Sequence, residues 1–159
     1  PYFEKAEKLK PEEPIIKNNL GTIAFFENDI RKAEEYFGAA SGSGNEVNYN
    51  LGLVNIRRGD YNRANQYFRS YADPNTALVK ILSGNYNGAL SDLEDFEKPD
   101  CYLKEYLKAI VAVRTGKEEL FMESLKKAVV LNPGMKAKAA TEMEFAKYFE
   151  NPKFREIVK

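Results

Sequence analysis

Apolar residues recur along most of the chain at spacings of three and four positions, which is the period of an amphipathic α-helix. One such stripe joins Ala33, Phe37 and Ala40, and similar stripes return at intervals down the chain. No segment carries a clear strand pattern. The periodicity therefore predicts an all-α protein, with helices over 1–9, 14–27, 30–40, 46–57, 61–72, 74–82, 87–96, 101–114, 118–130, 135–149 and 153–158.

Four short turns divide this pattern into repeating units: Asn28-Asp29-Ile30, Gly59-Asp60-Tyr61, Gly84-Asn85-Tyr86 and Gly116-Lys117-Glu118. A small residue follows five positions after three of the turn openers and a large one after the fourth: Ala33, Ala64, Ala89 and Phe121. Four positions further stand Phe37, Phe68, Leu93 and Leu125. The small residue lets two helices approach closely, and the larger residue fills the seam. Upstream of the turns, a further small position is occupied by Gly21, Gly52, Ala77 and Ala109.

The second unit carries the fullest set of these residues, with Leu51-Gly52 before its turn and Ala64 and Phe68 after it. Phe3 precedes Phe37 by 34 residues at the start of the chain. This combination resembles the tetratricopeptide repeat (TPR), whose period is about 34 residues, in the irregular form of bacterial arrays. The resemblance covers most of the chain before the last segment. It implies a right-handed superhelix, or α-solenoid, of antiparallel helix pairs.

The resemblance also implies how the chain is divided. We expect one TPR-like domain over 1–159, made of the second helix of a truncated repeat (1–11), repeats over 14–44, 45–72, 73–98 and 101–133, and a C-terminal cap (135–159). The third repeat is shortened. The cap is predicted to bury a stripe of Met135, Ala139, Met143, Ala146 and Phe149. Because the pattern opens in mid-repeat, we expect the chain to be a piece of a longer protein.

Composition excludes several classes of function. Lysine plus arginine and aspartate plus glutamate both number 24, so the net charge is zero. A nucleic-acid binder needs a basic surface, and we expect no such partner. No apolar run approaches the roughly 18 residues of a membrane span, so we expect no direct membrane insertion. The style of the repeats and of the last segment is similar to bacterial modules attached to envelope or secreted proteins, which favours an envelope or periplasmic location.

No constellation of residues points to catalysis. The chain has no histidine and a single cysteine, Cys101, which is interpreted as an inert thiol. The carboxylate pairs stand among lysines on predicted solvent faces, where a solvated face is the ordinary reading. The glycines lack the spacing of a phosphate loop. We therefore predict that the protein is not an enzyme and holds no cofactor and no metal.

The remaining candidate is a surface. In the TPR family the first helix of each pair lines the concave face, and the resemblance implies that partner contacts come from those helices. The predicted groove is formed by Asn18, Asn19, Thr22, Phe25, Phe26, Tyr49, Asn50, Leu53, Ile56, Arg57, Leu103, Tyr106, Ile110 and Arg114, with Ile15, Asn75, Leu78 and Ile81 beside them. Each aromatic or apolar member is also a candidate core residue.

Chaperone-binding members of the family clamp a terminal carboxylate with lysine, arginine and asparagine. Asn19 and Asn50 match the asparagines in kind, whereas Asn18, Thr22 and Leu53 stand where the lysines are needed. A carboxylate clamp is therefore not expected. Two cations remain at predicted helix ends, where they can hold an acidic group or cap local carbonyls: Arg57 and Arg114.

Two functions follow from this sequence. The favoured one is a non-catalytic module that binds a peptide or a partner protein on its concave helical face. The alternative is a structural spacer or assembly arm of a larger multidomain protein, with no ligand of its own.

Overall fold

The computed structural model describes residues 2–69 and 71–159, and all the regular structure in these residues is helical. The chain forms two compact units that divide between the fifth and sixth helices. The first unit contains α1 (Tyr2–Leu9), α2 (Pro14–Phe26), α3 (Ile30–Ala39), α4 (Asn45–Arg58) and α5 (Tyr61–Tyr67). The second contains α6 (Pro74–Leu82), α7 (Tyr86–Asp95), α8 (Tyr102–Arg114), α9 (Glu118–Leu131), α10 (Met135–Thr141), a 3₁₀ helix (Met143–Tyr148) and α11 (Pro152–Val158).

The four predicted turns are confirmed, and they share one backbone conformation. Each opens with a residue of positive φ, at 64°, 77°, 79° and 71°: Asn28, Gly59, Gly84 and Gly116. Glycine and asparagine tolerate this left-handed conformation better than other residues do. In three of the turns the next side chain accepts a hydrogen bond from a backbone N–H three residues on, and so caps the following helix: Asp29, Asp60 and Asn85.

Prolines begin three of the helices, α2, α6 and α11. A proline costs little there, since the first N–H of a helix has no partner inside the helix. At α6, the carboxylate of Asp73 accepts from the backbone of Asn75 and Thr76, and the Thr76 hydroxyl accepts from the Asp73 N–H. This capping box anchors the short third helix pair.

Small residues face large ones across the helix seams of the first unit. A Cβ added to Gly21 would lie 2.6 Å from the ring of Phe37, and one added to Gly52 would lie 2.5 Å from the ring of Phe68. Real Cβ atoms do not approach ring carbons this closely. The two rings therefore occupy the space that the glycines leave, and both phenylalanines are buried.

The second unit uses alanine against leucine in its seams. Ala77 and Leu93 are buried in one cluster, and Ala109 and Leu125 in another. The second cluster is organised around Phe121, which occupies the position that is alanine in the other three pairs and is fully buried. Its ring lies 4.5 to 6.1 Å, centroid to centroid, from the rings of Tyr148, Phe145 and Phe154.

The predicted cap helix over 135–149 is wrong in its second half. The helix ends at Thr141, Glu142 has ψ 114°, and a 3₁₀ helix follows. The 3₁₀ helix buries Phe145 and Tyr148 against Phe121. Met143 and Ala146, which were predicted to be buried, are exposed instead. The break places both aromatic rings in the core, where buried apolar surface stabilises the fold.

The fifth helix is shorter than predicted, since it ends at Tyr67 rather than at residue 72. Part of the predicted end, residue 70, lies outside the described residues. Asp73 is extended, with φ −153° and ψ 174°, because the residue before a proline is excluded from the helical conformation. The chain therefore leaves the helix before it reaches Pro74.

In the described part of the chain, no helix is long and apolar enough to cross a lipid bilayer.

Candidate partner-binding face

A hydrogen-bonded chain of polar side chains joins α2 to α4. The Asn50 side-chain amide donates to Asn18 Oδ1 at 2.9 Å, and Asn18 Nδ2 donates to Glu46 Oε1 at 3.2 Å. Asn18 is only 6% exposed. The structure thus assigns Asn18 a structural role: its nearly buried amide holds two helices together, since buried amides need partners.

Aromatic and cationic side chains meet at the other end of the same two helices. The guanidinium carbon of Arg57 lies 5.5 Å from the centroid of the Phe25 ring. Phe25 is half-buried against the core of the first unit, and its ring meets that of Phe26 edge-on at 6.2 Å. Arg57 forms no ion pair within the described residues. The ring contact orients this cation and leaves its N–H groups available to an anion.

The outer surface of these two helices is formed by five of the predicted side chains, which we call the α2/α4 face: Asn19, Thr22, Phe26, Leu53 and Arg57. Phe26 is 83% exposed, and the other four are at least partly exposed. The Thr22 hydroxyl donates to the Asn18 carbonyl at 2.9 Å. Three predicted neighbours, Tyr49, Asn50 and Ile56, are half-buried behind this surface.

A groove of about 440 Å³ opens where α2 and α4 begin. Ile15 lines it and is 65% exposed. Glu46 also lines it, next to Asn18. Glu46 is not among the residues of the predicted groove, although it stands one helical turn before Asn50 and so shares a stripe with it. The groove continues the α2/α4 face toward the starts of the helices and gives that end an acidic side chain.

The predicted face residues of the second unit are largely occupied by the fold. Tyr106 is 3% exposed, and its hydroxyl donates to Glu142 at 3.2 Å. Burial, together with the Glu142 carboxylate, raises the pKa of the Tyr106 phenol well above its ordinary value. Its predicted role in partner contact is therefore corrected to a core role. Ile81 is likewise buried, Ile110 is half-buried, and Leu103 is partly exposed.

Arg114 is already paired inside the second unit. Its Nε and Nη2 both donate to the Glu144 carboxylate, Nε at 3.1 Å, in a bidentate contact. Its Nη1 donates to the Ile81 carbonyl at 3.3 Å. The hydrogen bond from Arg114 lowers the pKa of the Glu144 carboxyl below its ordinary value. Arg114 therefore bridges α6, α8 and the 3₁₀ helix, and only Arg57 of the two predicted cations remains without an ion pair among the described residues.

The described residues contain no group of three or more cysteine, aspartate or glutamate side chains placed to hold a metal ion. Every buried side-chain nitrogen or oxygen that the structure describes has a hydrogen-bond partner. The α2/α4 face itself presents apolar side chains, the Asn19 amide and the Arg57 guanidinium.

Two solved structures are similar to this chain over most of its length. YrrB, a TPR protein with an unusual peptide-binding site, aligns with a TM-score of 0.73 and 16% identity, over 98% of this chain and 88% of its own. PilF of Pseudomonas aeruginosa aligns with a TM-score of 0.72 and 17% identity, over 92% of this chain and 70% of its own. No family model and no curated protein sequence matches the chain. The structural similarity establishes a TPR-like fold and confirms the predicted all-α fold class.

Proposed function

We propose that this TPR-like chain is a non-catalytic protein-interaction module that binds a peptide segment of a partner on the α2/α4 face. The observation that carries the proposal is the exposed Phe26 ring next to that of Phe25, over which Arg57 lies with no ion pair among the described residues. The two helices that carry these side chains are tied together by Asn18. Aromatic and arginine side chains on a rigid support are the residues that most often dominate binding energy.

The charges on α4 favour one orientation of the peptide. Glu46 stands near the start of α4 and Arg57 near its end, eleven residues apart. At 1.5 Å per residue this separation is about 17 Å, the length of roughly five extended residues. We therefore expect a peptide with a basic residue at one end, an acidic residue or a terminal carboxylate at the other, and apolar residues between them for Phe26 and Leu53.

The comparisons support a binding role without identifying the ligand. YrrB has the same fold and a peptide-binding site. An open row of helix pairs presents a broad surface in such proteins, and function in them depends on the side chains of that surface.

A structural arm is the second candidate function. Its supporting observation is α1, on which Tyr2 and Leu9 are 85% and 83% exposed. In this alternative, α1 packs against another part of a larger protein and no peptide is bound. A chain carrying Tyr2→Ser and Leu9→Ser would then lose assembly with that part, while the α2/α4 variants described next would have no effect.

The test of peptide binding is selection of a displayed random 12-residue peptide library on the immobilised chain, followed by NMR mapping of an enriched peptide on isotope-labelled protein. We expect shifts of the amides of Asn19, Thr22, Phe26, Leu53 and Arg57. The double variant Phe26→Ala/Arg57→Ala is expected to weaken binding by about tenfold or more, as hot-spot truncations do.

The matched control is Met143→Ala, which truncates a side chain that is also strongly exposed but lies in the second unit. It is expected to leave binding unchanged. The α2/α4 face is removed as the site if no enriched peptide shifts its amides, or if every enriched peptide binds the wild-type chain and the double variant equally.

A further inference from the structure

A second open groove lies entirely within the second unit, along the outer side of α9. Its volume is about 460 Å³, within the range of roughly 300–1,000 Å³ that is usual for ligand sites. Its apolar floor is formed by Met122, Val129 and Val130 of α9 and Ile157 of α11. Val130 is 72% exposed although it is apolar and lies in a well-formed helix.

The sequence carries a signal for this surface. Val129, Val130 and Leu131 are consecutive at the end of α9. Successive residues of a helix point about 100° apart, so three in a row cannot all face one core. The Val129 side chain is mostly buried in the core, whereas Val130 remains on the surface. Val130 also lines a further, separate groove of about 370 Å³.

The rim of the groove is basic. Lys126 of α9, Lys136 of α10 and Lys153 of α11 line the groove, and none forms an ion pair with the described residues. Of the two carboxylates on the rim, Glu123 is paired with Lys127 at 2.7 Å. With Glu123 paired, the rim holds one other carboxylate, that of Glu156, and three lysines. In a chain of zero net charge this is a local excess of positive charge around an apolar floor.

From this arrangement we infer that the groove between α9, α10 and α11 is a docking site for an acidic peptide segment of a partner protein, with apolar side chains on Val130 and Ile157 and carboxylates toward the three lysines. The apolar floor supplies contact area, and the lysines select the sign of the partner's charge. This site is separate from the α2/α4 face and does not depend on it.

The experiment uses the full chain with the first site disabled, as the Phe26→Ala/Arg57→Ala variant. A displayed random 12-residue library is selected on this protein, with counter-selection on the same protein carrying Lys126→Glu, Lys136→Glu and Lys153→Glu. We expect the enriched peptides to carry a net negative charge and at least two large apolar residues. Fluorescence anisotropy of one labelled peptide then compares affinities.

The substitution of all three groove lysines by glutamate is expected to lower the affinity for that peptide by about tenfold or more. It is expected to raise the affinity for a copy of the peptide in which the acidic residues are changed to lysine. Lys8→Glu/Lys10→Glu/Lys98→Glu makes the same change in net charge at exposed positions outside the groove, and is expected to change affinity less than about twofold. Val130→Asp tests the apolar floor separately and should also lower the affinity for the acidic peptide.

The inference is overturned if no peptide is enriched over counter-selection, if the enriched peptides are neutral or basic, or if the control triple weakens binding as much as the groove triple. NMR shifts away from Val130 and Ile157 would also overturn it. Circular dichroism that matches the parent protein shows that each variant is folded. Failure here leaves the α2/α4 proposal unaffected, since that face is tested with the unmodified chain.

Discussion

The helix seams of the two units are packed with different pairs of residues. In the first unit, glycine faces phenylalanine, as in Gly52 and Phe68, where an added Cβ would lie 2.5 Å from the ring. In the second unit, alanine stands at the glycine position and leucine at the phenylalanine position, as in Ala77 and Leu93. Where alanine replaces glycine on one helix of the pair, the smaller leucine replaces phenylalanine on the other. The comparison indicates that the seam conserves volume rather than residue type, as close-packed interiors require.

A second contrast concerns two arginines that look alike in the sequence. Arg57 and Arg114 both lie in the last turn of the first helix of a pair, two residues before the glycine that opens the turn. In the first unit, Arg57 rests over an aromatic ring and has no ion pair among the described residues. In the second unit, Arg114 is paired with Glu144 and with the Ile81 carbonyl. A cation at the same repeat position is thus a candidate contact in one unit and a structural tie in the other.

The largest effect is expected where the second unit departs most from the repeat, at Phe121. Phe121→Ala restores the alanine found in the other three pairs but removes a fully buried ring from the cluster around it. The free energy of unfolding should fall by about 3–5 kcal/mol, as for other buried phenylalanines. Urea unfolding followed by circular dichroism measures it. Phe26→Ala, which truncates an exposed ring, is the control and should cost less than about 0.5 kcal/mol. A small loss for Phe121→Ala would mean that the cap does not rest on this ring.

The next effect tests the exchange between seams directly. Gly52→Ala should destabilise the first unit by about 1–3 kcal/mol because the new methyl group overlaps the Phe68 ring. Gly52→Ala/Phe68→Leu recreates the pairing of the second unit and should recover part of that loss, which a double-mutant cycle measures.

Gly38→Ala is the matched control for this experiment. Gly38 is a helical glycine at which an added Cβ meets nothing within 4 Å. Alanine there should stabilise the protein by about 0.5–1 kcal/mol through helix propensity alone. If Gly52→Ala were stabilising to the same extent, the volume argument for the seam would fail.

The smallest effect concerns the paired arginine. Glu144 has a pKa below its ordinary value of 4.5 in the folded protein, because Arg114 donates hydrogen bonds to its carboxylate. The stabilisation is therefore present above pH 4.5 and is lost as the pH falls through the lower folded value. Glu144→Gln should lower stability at pH 7 by less than about 1 kcal/mol, with the difference from wild type vanishing in acid. Arg57→Ala should show no such pH-dependent difference. A difference for Glu144→Gln that persists unchanged at pH 2 would contradict the ion-pair explanation.

The sequence by itself determined the turns, most helix starts and the helical class of this protein. These features depend on residues within about four positions of one another, such as Asp60 beside Gly59, so their physical cause is local and can be read along the chain. The exchange of Gly52 and Phe68 for Ala77 and Leu93 was also visible as a pattern of sizes.

Only the tertiary structure decided which side chains on the first helix of each pair are exposed to solvent. Tyr106 and Phe26 are both aromatic and both follow the helical period, yet one is buried and the other is 83% exposed. The difference comes from Glu142, 36 residues after Tyr106, and from the 3₁₀ helix that covers the ring. A helical period states which residues share a stripe, whereas burial depends on what distant segment packs over that stripe.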